Sequence, residues 1–193
     1  MDILELIKSR RSPRGFFDKQ VSEEELNKIF DAGRWAASSY NGQPWRFIYA
    51  DKEKQPELFA KLLGLMAEFN QAWAKAAPVL MITLVRIKYE HTGEVYKHAW
   101  HDLGLAVGNM SIMAQSLGIS LHPMGGFDME KAREELNIPD SLEPVTMVAV
   151  GYGGLPGNLP LDIYKMEILP RERKEIEEIA FNKAFEKPVT KDN

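Results

Sequence analysis

The feature that most constrains the fold is a long helical pattern over residues 98–117 that carries apolar side chains on nearly every face. The pattern ends at Gly118, and Gly104 and Gly108 permit close approach of another backbone. A helix that is apolar nearly all round must be buried. In a chain of 193 residues, a subunit interface is the most economical place to bury it. We therefore expect a homodimer with this helix at its centre.

Hydrophobic periodicity divides the rest of the chain into interleaved helices and strands. Ser22 and Glu25 form a capping box that begins a helix ending near Gly33. Interleaved elements predict an α/β or α+β class in a single domain, residues 1–193, with a flexible tail at about 186–193. The predicted strands are 46–50, 79–85, 119–124 and 145–150; the other helices are 3–7, 56–75 broken around Gly64, 128–136 and 175–185; 163–169 is extended; and 36–44, 87–97 and 151–160 are loops or surface excursions.

Composition excludes several classes of function. The net charge of -4 argues against a general nucleic-acid binder, so any anion site must be a local basic cluster. Cysteine is absent, which excludes disulfides, thiol catalysis and thiolate metal sites. The N-terminus does not read as a signal peptide, and no run approaches the roughly 20 apolar residues of a membrane span. We expect a cytoplasmic protein with neither nucleic-acid nor membrane partners.

Two polar segments are candidates for a ligand site. Arg10, Arg11 and Arg14 lie with Ser12 where a short helix gives way to a loop, and arginine forks match phosphate oxygens. Taken alone, this cluster is more typical of a solvated basic patch, or of cations favouring a helix C-terminus, than of a ligand site. Hydroxyls and amides in residues 38–45 could read a polar ring edge, but they also suit a turn that ends a helix.

The order and spacing of several motifs together are more specific. RRSPRGF is followed about twenty residues later by AASSYNGQPWRF, then by FNQAW, PVLMIT, HDLGLAVGNMSIMAQSLG, HPMGGFD and MVAVGYGG. In this order the motifs resemble the FMN-dependent nitroreductase family over nearly the whole chain. The resemblance implies an α+β fold, a three-layer sandwich with a mostly antiparallel central sheet flanked by helices. It also implies an interlocked homodimer with one FMN at each end of the interface.

The resemblance also implies roles for individual residues. Arg10 and Ser12 would hold the phosphate and ribityl chain with Arg11 close by, and Arg14 would lie near the N1/O2 side of the ring. Gly125 and Gly126 form a turn, here called the glycine turn. One of its backbone N–H groups would face flavin N5, since glycine allows close backbone approach. Arg173 would complete the phosphate site, with Arg171 or Lys174 as alternatives. The remaining cofactor-binding residues would be Ser38, Ser39 and Asn41 from the partner subunit, Asn70, Pro123, Met124, Gly125 and Gly126.

The implied activity is transfer of hydride from NADH or NADPH through flavin N5 to nitroaromatics, quinones or similar electron-poor acceptors, by a ping-pong mechanism. No side chain is assigned a catalytic role, because the flavin carries the chemistry and the protein supplies orientation and electrostatics. Two alternatives stay open: a specialised reaction such as reductive dehalogenation or flavin breakdown, and a flavin-binding protein without turnover.

Other patterns carry less weight. His98, His101 and Asp102 have metal-ligand spacing on a helix, but no third histidine is near, and we expect Asp102 to cap or pair structurally and no metal to bind. The glycines of residues 151–157 imitate a dinucleotide fingerprint without the helix that it requires. Among the tryptophans, Trp73 has the best claim to a ligand pocket because it shares a helix turn with Asn70.

Overall fold

The computed structural model describes residues 2–155 and 159–184 of the chain. Within that part the helices and strands alternate as the sequence predicts, with most predicted bounds within a few residues. Single 3₁₀ turns occur at Ser39–Asn41 and Ile176–Glu178. The helices are α1 Ile3–Ser9, α2 Glu23–Arg34, α3 Pro56–Gly64, α4 Glu68–Ala74, α5 Ala99–Ser116, α6 Met129–Glu135 and α7 Leu161–Glu167, and the strands are β1 Trp45–Asp51, β2 Val79–Arg86, β3 Ser120–Met124 and β4 Leu142–Gly151.

The four strands form one antiparallel sheet in the order β1-β2-β4-β3. The central strand β2 is apolar along most of its length because both of its faces are covered. Leu80 and Ile82 pack on one face against helices α3 and α4, whereas Val79 and Met81 pack on the other against α2 and α5. The predicted three-layer α+β sandwich with an antiparallel sheet is therefore confirmed.

Helix α2 begins and packs as its sequence indicates. Ser22 accepts a hydrogen bond from the Glu25 amide, and the Glu25 carboxylate accepts one from the Ser22 amide, so the predicted capping box is present. At the other end, a Cβ at Gly33 would lie 2.7 Å from a side-chain carbon of Met110. Glycine at position 33 thus allows α2 to press closely against α5.

The long helix α5 is only half buried within one chain. Its inner face, including Leu103, Ala106 and Met110, joins the core, as a nearly all-apolar helix requires. The opposite face leaves Leu105 39% exposed, and a Cβ at Gly104 or Gly108 would have no neighbour within 4 Å. The apolar surface that the sequence places on this helix is therefore only partly covered by the described residues of one chain.

Two predictions near the C-terminus are wrong. Residues 163–169 were expected to be extended, but helix α7 runs from Leu161 to Glu167, because helical spacing puts Ile163, which joins the core, and Glu167, which pairs with Arg14, on one face. A last helix was expected over 175–185, but only the 3₁₀ turn Ile176–Glu178 forms there. All described residues of that segment are exposed, and a short helix without a packed face is unstable.

The surface excursion at 87–97 is also more ordered than expected, because Tyr96 is fully buried and its ring stacks on Tyr89 with centroids 4.0 Å apart. The predicted flexible tail at 186–193 lies outside the described residues. Among the described helices, none combines the length and apolarity needed to cross a membrane.

Candidate functional site

Residues 10–14, here called the arginine segment, follow the end of α1. The Arg10 guanidinium donates to the Ser12 hydroxyl at 3.2 Å, so these two predicted phosphate ligands are already side by side. The Arg11 guanidinium instead donates to the carbonyl oxygens of Glu167 and Leu169, at 2.9 and 3.4 Å. Arg10 and Ser12 therefore remain paired with each other, whereas Arg11 is tied to the end of α7.

Arginines from the two ends of the chain meet around one cavity. Arg171 donates to the carbonyl oxygens of Lys8 and Arg10, which fixes the late basic segment against the C-terminus of α1. Arg10, Arg11, Arg171 and Arg173 all line a cavity of about 680 Å³. Four guanidinium groups around one opening suit a phosphate group better than any neutral ligand. Of the three alternatives for the late cation, Arg171 and Arg173 line this cavity and Lys174 does not.

Arg14 is held by a carboxylate that the sequence did not point to. Its guanidinium lies 3.2 Å from the carboxylate of Glu167, whose side chain is 7% exposed. The Nε of Arg14 is buried and has no hydrogen-bond partner among the described residues. An unsatisfied buried donor is costly, so this atom is a candidate contact for a bound ligand.

His122 connects the arginine segment to the sheet. Its Nδ1 lies 2.8 Å from the Pro13 carbonyl oxygen, and its ring stacks on Trp73 with centroids 4.6 Å apart. Burial lowers the pKa of His122; the bond to Pro13 opposes this in part, and the positive charge of Arg14 adds to it. The histidine is therefore neutral at pH 7 and works as a packed connection between strand β3 and residues 10–14.

The glycine turn after β3 meets helix α4. The Asn70 side-chain amide donates to the Gly126 carbonyl oxygen at 3.2 Å, and the Ala67 amide donates to the same oxygen at 2.9 Å. Gly125 is exposed and a Cβ there would have no neighbour within 4 Å, so its backbone is open to a ligand. Pro123 is also exposed, whereas the Met124 side chain is buried in the core and could offer only its backbone.

Residues 38–43, here called the serine loop, lie apart from these groups, at the beginning of α5. The Ser39 amide donates to the Asp102 carboxylate at 2.9 Å. The Tyr96 hydroxyl is 2.8 Å from the same carboxylate and 3.0 Å from the Ser39 carbonyl oxygen, and the Tyr89 hydroxyl donates to the Ser39 hydroxyl at 3.1 Å. The Gln43 amide donates to the Ser38 hydroxyl at 3.1 Å. Asn41 is exposed.

The structure thus gathers the predicted residues into two separate groups. The arginine segment, which lines a cavity with Arg173, is linked through His122 and Trp73 to α4, where Asn70 meets the glycine turn. The serine loop instead contacts Tyr89, Tyr96 and Asp102. In the described part of the chain, no group of three or more His, Cys, Asp or Glu side chains could hold a metal ion. Asp102 is instead hydrogen-bonded to its neighbours, in agreement with the expected structural role.

Three contributors were not among the residues predicted for the site: His122, Glu167 and Tyr96. Arg171 was predicted only as an alternative phosphate ligand, and its contacts with the carbonyl oxygens of Lys8 and Arg10 were not anticipated. A lone histidine in an apolar strand was a visible signal for His122. The partner of Arg14 could not be found, because residue 167 was assigned to an extended segment rather than to α7. Tyr96 was placed in a surface excursion, so its burial was not anticipated.

The chain is similar to several known proteins. The model of the Nitroreductase family matches residues 7–152. A relative from Methanothermobacter thermautotrophicus, with the provisional name NADH dehydrogenase/NAD(P)H nitroreductase, is 31% identical over 160 residues, which cover 79% of this chain and 78% of that protein. A crystal structure described as an oxidoreductase containing FMN is 34% identical, with a TM-score of 0.86, and the match covers 96% of this chain and 93% of that one.

A nitroreductase family protein from Streptococcus pneumoniae shares the fold at 22% identity, with a TM-score of 0.77, over 94% of this chain and all of the other. The family match spans the arginine segment, the serine loop, helix α5 and the glycine turn, and ends just after β4. The late arginines and helix α7 lie beyond it. On this evidence the chain belongs to the nitroreductase family of oxidoreductases.

Proposed function

We propose that this chain is a single FMN-binding domain that uses NADH or NADPH to reduce nitroaromatics, quinones or similar electron-poor acceptors. One observation carries the proposal: arginines from both ends of the chain meet around one cavity, and His122 joins that region to an open glycine turn. The donor set suits a phosphate at one end and a polar ring edge at the other. The similar oxidoreductase structure that contains FMN supports the same choice of cofactor.

The residues that would hold FMN divide by chemistry. Arg10, Ser12 and Arg173, with Arg11 beside them, would bind the phosphate through charge-assisted hydrogen bonds. Arg14 would face the N1/O2 edge, where its unpartnered Nε is available. A backbone N–H of the glycine turn would meet N5. The contributors from the ring side and from the partner subunit would be Asn70, Pro123, Met124, Gly125, Gly126, Ser38, Ser39 and Asn41.

When bound, FMN supplies hydride acceptance from the nicotinamide and delivery to the acceptor, which the chain's own side chains cannot provide. The protein's part is electrostatic. A fixed guanidinium at Arg14 favours negative charge on the adjacent ring edge, and Glu167 holds that guanidinium in place. Donor and acceptor would use the same open face in turn, which gives ping-pong kinetics.

We further propose a homodimer built on the exposed face of α5. Leu105 and Trp100 are exposed there, at 39% and 43%, and Gly104 and Gly108 leave open surface between them. Small residues four apart allow two helices to approach closely. Such an interface would bring the serine loop of one subunit to the arginine segment of the other, which explains why the two groups lie apart within one chain.

The test is an absorbance spectrum of purified protein, followed by anaerobic titration with NADH and NADPH. We expect a flavin spectrum with added FMN, bleaching by a nicotinamide, and recovery of the colour on adding menadione or a nitrofuran. Protein that shows no perturbed flavin absorbance with excess FMN would overturn the proposal. If neither nicotinamide bleaches the bound flavin, the protein binds FMN without catalysing turnover.

A further inference from the structure

Asp102 is a buried carboxylate that none of the proposed ligand contacts uses. It lies in the first turn of α5 and is 2% exposed. A buried carboxylate is stable only when its oxygens are well hydrogen-bonded. Asp102 meets this condition through three donors: the Ser39 amide, the Tyr96 hydroxyl and, at 3.0 Å, Nδ1 of His101. Two of these donors connect Asp102 to the serine loop: the Ser39 amide belongs to the loop, and the Tyr96 hydroxyl also contacts the Ser39 carbonyl oxygen.

The serine loop needs such support because its backbone is unusual. Tyr40, Asn41 and Gln43 have φ angles of 51°, 54° and 42°, in the left-handed region that side chains other than glycine rarely adopt. Three such residues within four positions persist only where surrounding contacts fix them. Tyr40 is 89% exposed, so its own packing does not supply that support.

The support comes from Tyr96 and Asp102 acting together. A Cβ at Gly42 would lie 2.6 Å from the Tyr96 ring and hydroxyl, so the loop backbone rests directly on that side chain. Burial and the neighbouring carboxylate raise the pKa of Tyr96, which keeps its hydroxyl protonated and able to donate. The ring fixes the position of the loop, and the carboxylate fixes its orientation through the Ser39 amide.

We propose that Asp102 is a positioning residue for FMN: it holds the serine loop in the one conformation that presents Ser38, Ser39 and Asn41 to the flavin of the partner subunit. The inference rests on the proposed function, because the loop residues are cofactor ligands only there. Asp102 itself does not touch the cofactor. Its contribution is to remove the conformational freedom that the loop would otherwise lose on binding.

The chemistry of the contact predicts a specific pattern of variants. Asp102→Ala removes the acceptor and frees the loop, so the Kd for FMN rises about tenfold or more, as expected for hydrogen bonds to a charged group. Asp102→Asn keeps one oxygen that can accept from the Ser39 amide, and its Kd stays within about threefold of the wild type. Rescue by Asn distinguishes positioning from a direct effect of negative charge.

Matched controls separate this role from general stability. Asp51 is also buried and accepts the amides of Glu53 and Lys54, at 2.9 and 3.0 Å, in a turn that holds none of the proposed ligands. Asp51→Ala should destabilise the fold and leave the FMN Kd unchanged. If Asp102→Ala does not fold, Tyr96→Phe removes one hydroxyl instead, with Tyr152→Phe, whose hydroxyl donates to Glu25, as its control.

The experiment combines two readouts on the full-length protein. FMN titration gives the Kd, and hydrogen exchange of the cofactor-free protein reports protection of the amides of residues 38–43. We expect Asp102→Ala to lose both affinity and loop protection, and Asp102→Asn to retain both. Loss of protection with an unchanged Kd overturns the inference alone, as does an Asn variant as weak as the Ala variant. Wild-type protein that binds no FMN overturns the proposed function and, with it, the positioning role.

Discussion

The arginine segment and the serine loop are both rich in polar groups, but the fold treats them in opposite ways. In the arginine segment, long side chains reach the Glu167 carboxylate and backbone carbonyl groups, and the side chains of Arg10 and Ser12 hydrogen-bond to each other. In the serine loop, the backbone itself is fixed by the buried side chains Tyr96 and Asp102. The arginine segment is therefore defined by its charge, and the serine loop is defined by its fixed backbone geometry.

This difference indicates how each region would recognise a cofactor. Charge acts over several ångströms and tolerates small displacements, so flexible arginines are adequate for a phosphate. Hydroxyl and amide contacts need donor and acceptor within about 3 Å and well aligned, so their loop must be fixed in advance. Substitutions in the two regions should therefore have different kinds of effect on cofactor binding, and not only effects of different size.

The strongest test separates the two regions physically. Gly108→Leu places a large side chain on the exposed face of α5, where the described residues beyond the helix's own backbone place no atom within 4 Å of the new Cβ. Leucine favours the helix more than glycine, so each subunit stays folded. Because the proposed dimer brings the serine loop to the partner's arginines, the variant should be monomeric. Its FMN affinity should fall by about 100-fold, the combined effect of a few lost hydrogen bonds.

Mass from light scattering and an FMN titration check this prediction. Gly64→Leu is the control, because Gly64 also lies on a helix with open space around it and far along the chain from α5. It should keep the mass of the wild type. A Gly108→Leu protein that remains dimeric and binds FMN normally would show that α5 does not form the interface.

The next test isolates charge. Arg10→Ala removes a cation proposed to bind phosphate, so the FMN Kd should rise roughly tenfold to a hundredfold, the range for one charge-assisted hydrogen bond. Riboflavin has no phosphate, and its Kd should not change. Arg11→Ala should have a smaller effect, because that guanidinium is already bound to the carbonyl groups of Glu167 and Leu169.

Parallel titrations with FMN and riboflavin check this result. Variants of the arginine segment should reduce the preference for FMN, whereas variants of the serine loop should weaken both ligands equally. If Arg10→Ala weakens riboflavin binding as strongly as FMN binding, then this arginine supports the fold or the binding of the flavin ring rather than the binding of the phosphate.

The two regions also differ in how far the sequence could predict them. Local chemistry made Ser22 and Glu25 a recognisable helix start, and the apolar run at β2 predicted a central strand. The arginine segment could be proposed as a site from the order of the family motifs, although its residue types alone suit a solvated basic patch. Its partner Glu167 could not, because that contact joins positions 153 residues apart and residues 163–169 were expected to be extended rather than helical.

For the serine loop, residue types predicted a turn but not its support. Asp102 and Tyr96 are adjacent to the loop only because α5 and the segment before it fold back over the end of β1. No local pattern encodes such a contact. The separation of the two regions within one chain was implied by the family resemblance, which assigns Ser38, Ser39 and Asn41 to the partner subunit, and by the apolar face of α5.

A third test examines geometry without changing charge. Gly42 has ordinary helical φ and ψ angles, so alanine suits its backbone, but the added methyl group would collide with Tyr96. Gly42→Ala should lower the free energy of unfolding by about 1–3 kcal/mol, as for other overpacked sites. It should also raise the Kd for FMN and the Kd for riboflavin by the same factor.

Thermal or denaturant unfolding with both titrations gives the answer. Gly64→Ala, at a helix position with free space, should be neutral or slightly stabilising. If Gly42→Ala weakens FMN alone, the serine loop would contact the phosphate rather than the ring, and the division between charge and geometry would be wrong.

The smallest expected effect comes from acid, which should loosen one region before the other. Burial lowers the pKa of His122 below its ordinary 6.5. Its neutral form is therefore favoured by folding, and the stability that depends on it is present above pH 6.5 and declines as the pH falls further. Burial by itself would raise the pKa of Asp102, but hydrogen bonds from His101, the Ser39 amide and Tyr96 bring the pKa below its ordinary 3.8. The contribution of Asp102 is therefore kept until the pH falls below 3.8.

Between pH 6.5 and 4, protonation should thus place a charge on the buried His122 ring, close to Arg14, and destabilise its packing between β3 and the arginine segment while leaving the serine loop intact. Hydrogen exchange, corrected for the intrinsic effect of pH, should show lost protection near residues 10–14 and β3 but not at residues 38–43. The slope of stability with pH from this histidine cannot exceed about 1.4 kcal/mol per pH unit, the limit for one proton. His122→Asn should flatten that slope, and a variant with the wild-type slope would place the acid-sensitive group elsewhere. In that case the contacts of Asp102 would still explain the pH response of the serine loop, but the contacts of His122 would not explain that of the arginine segment.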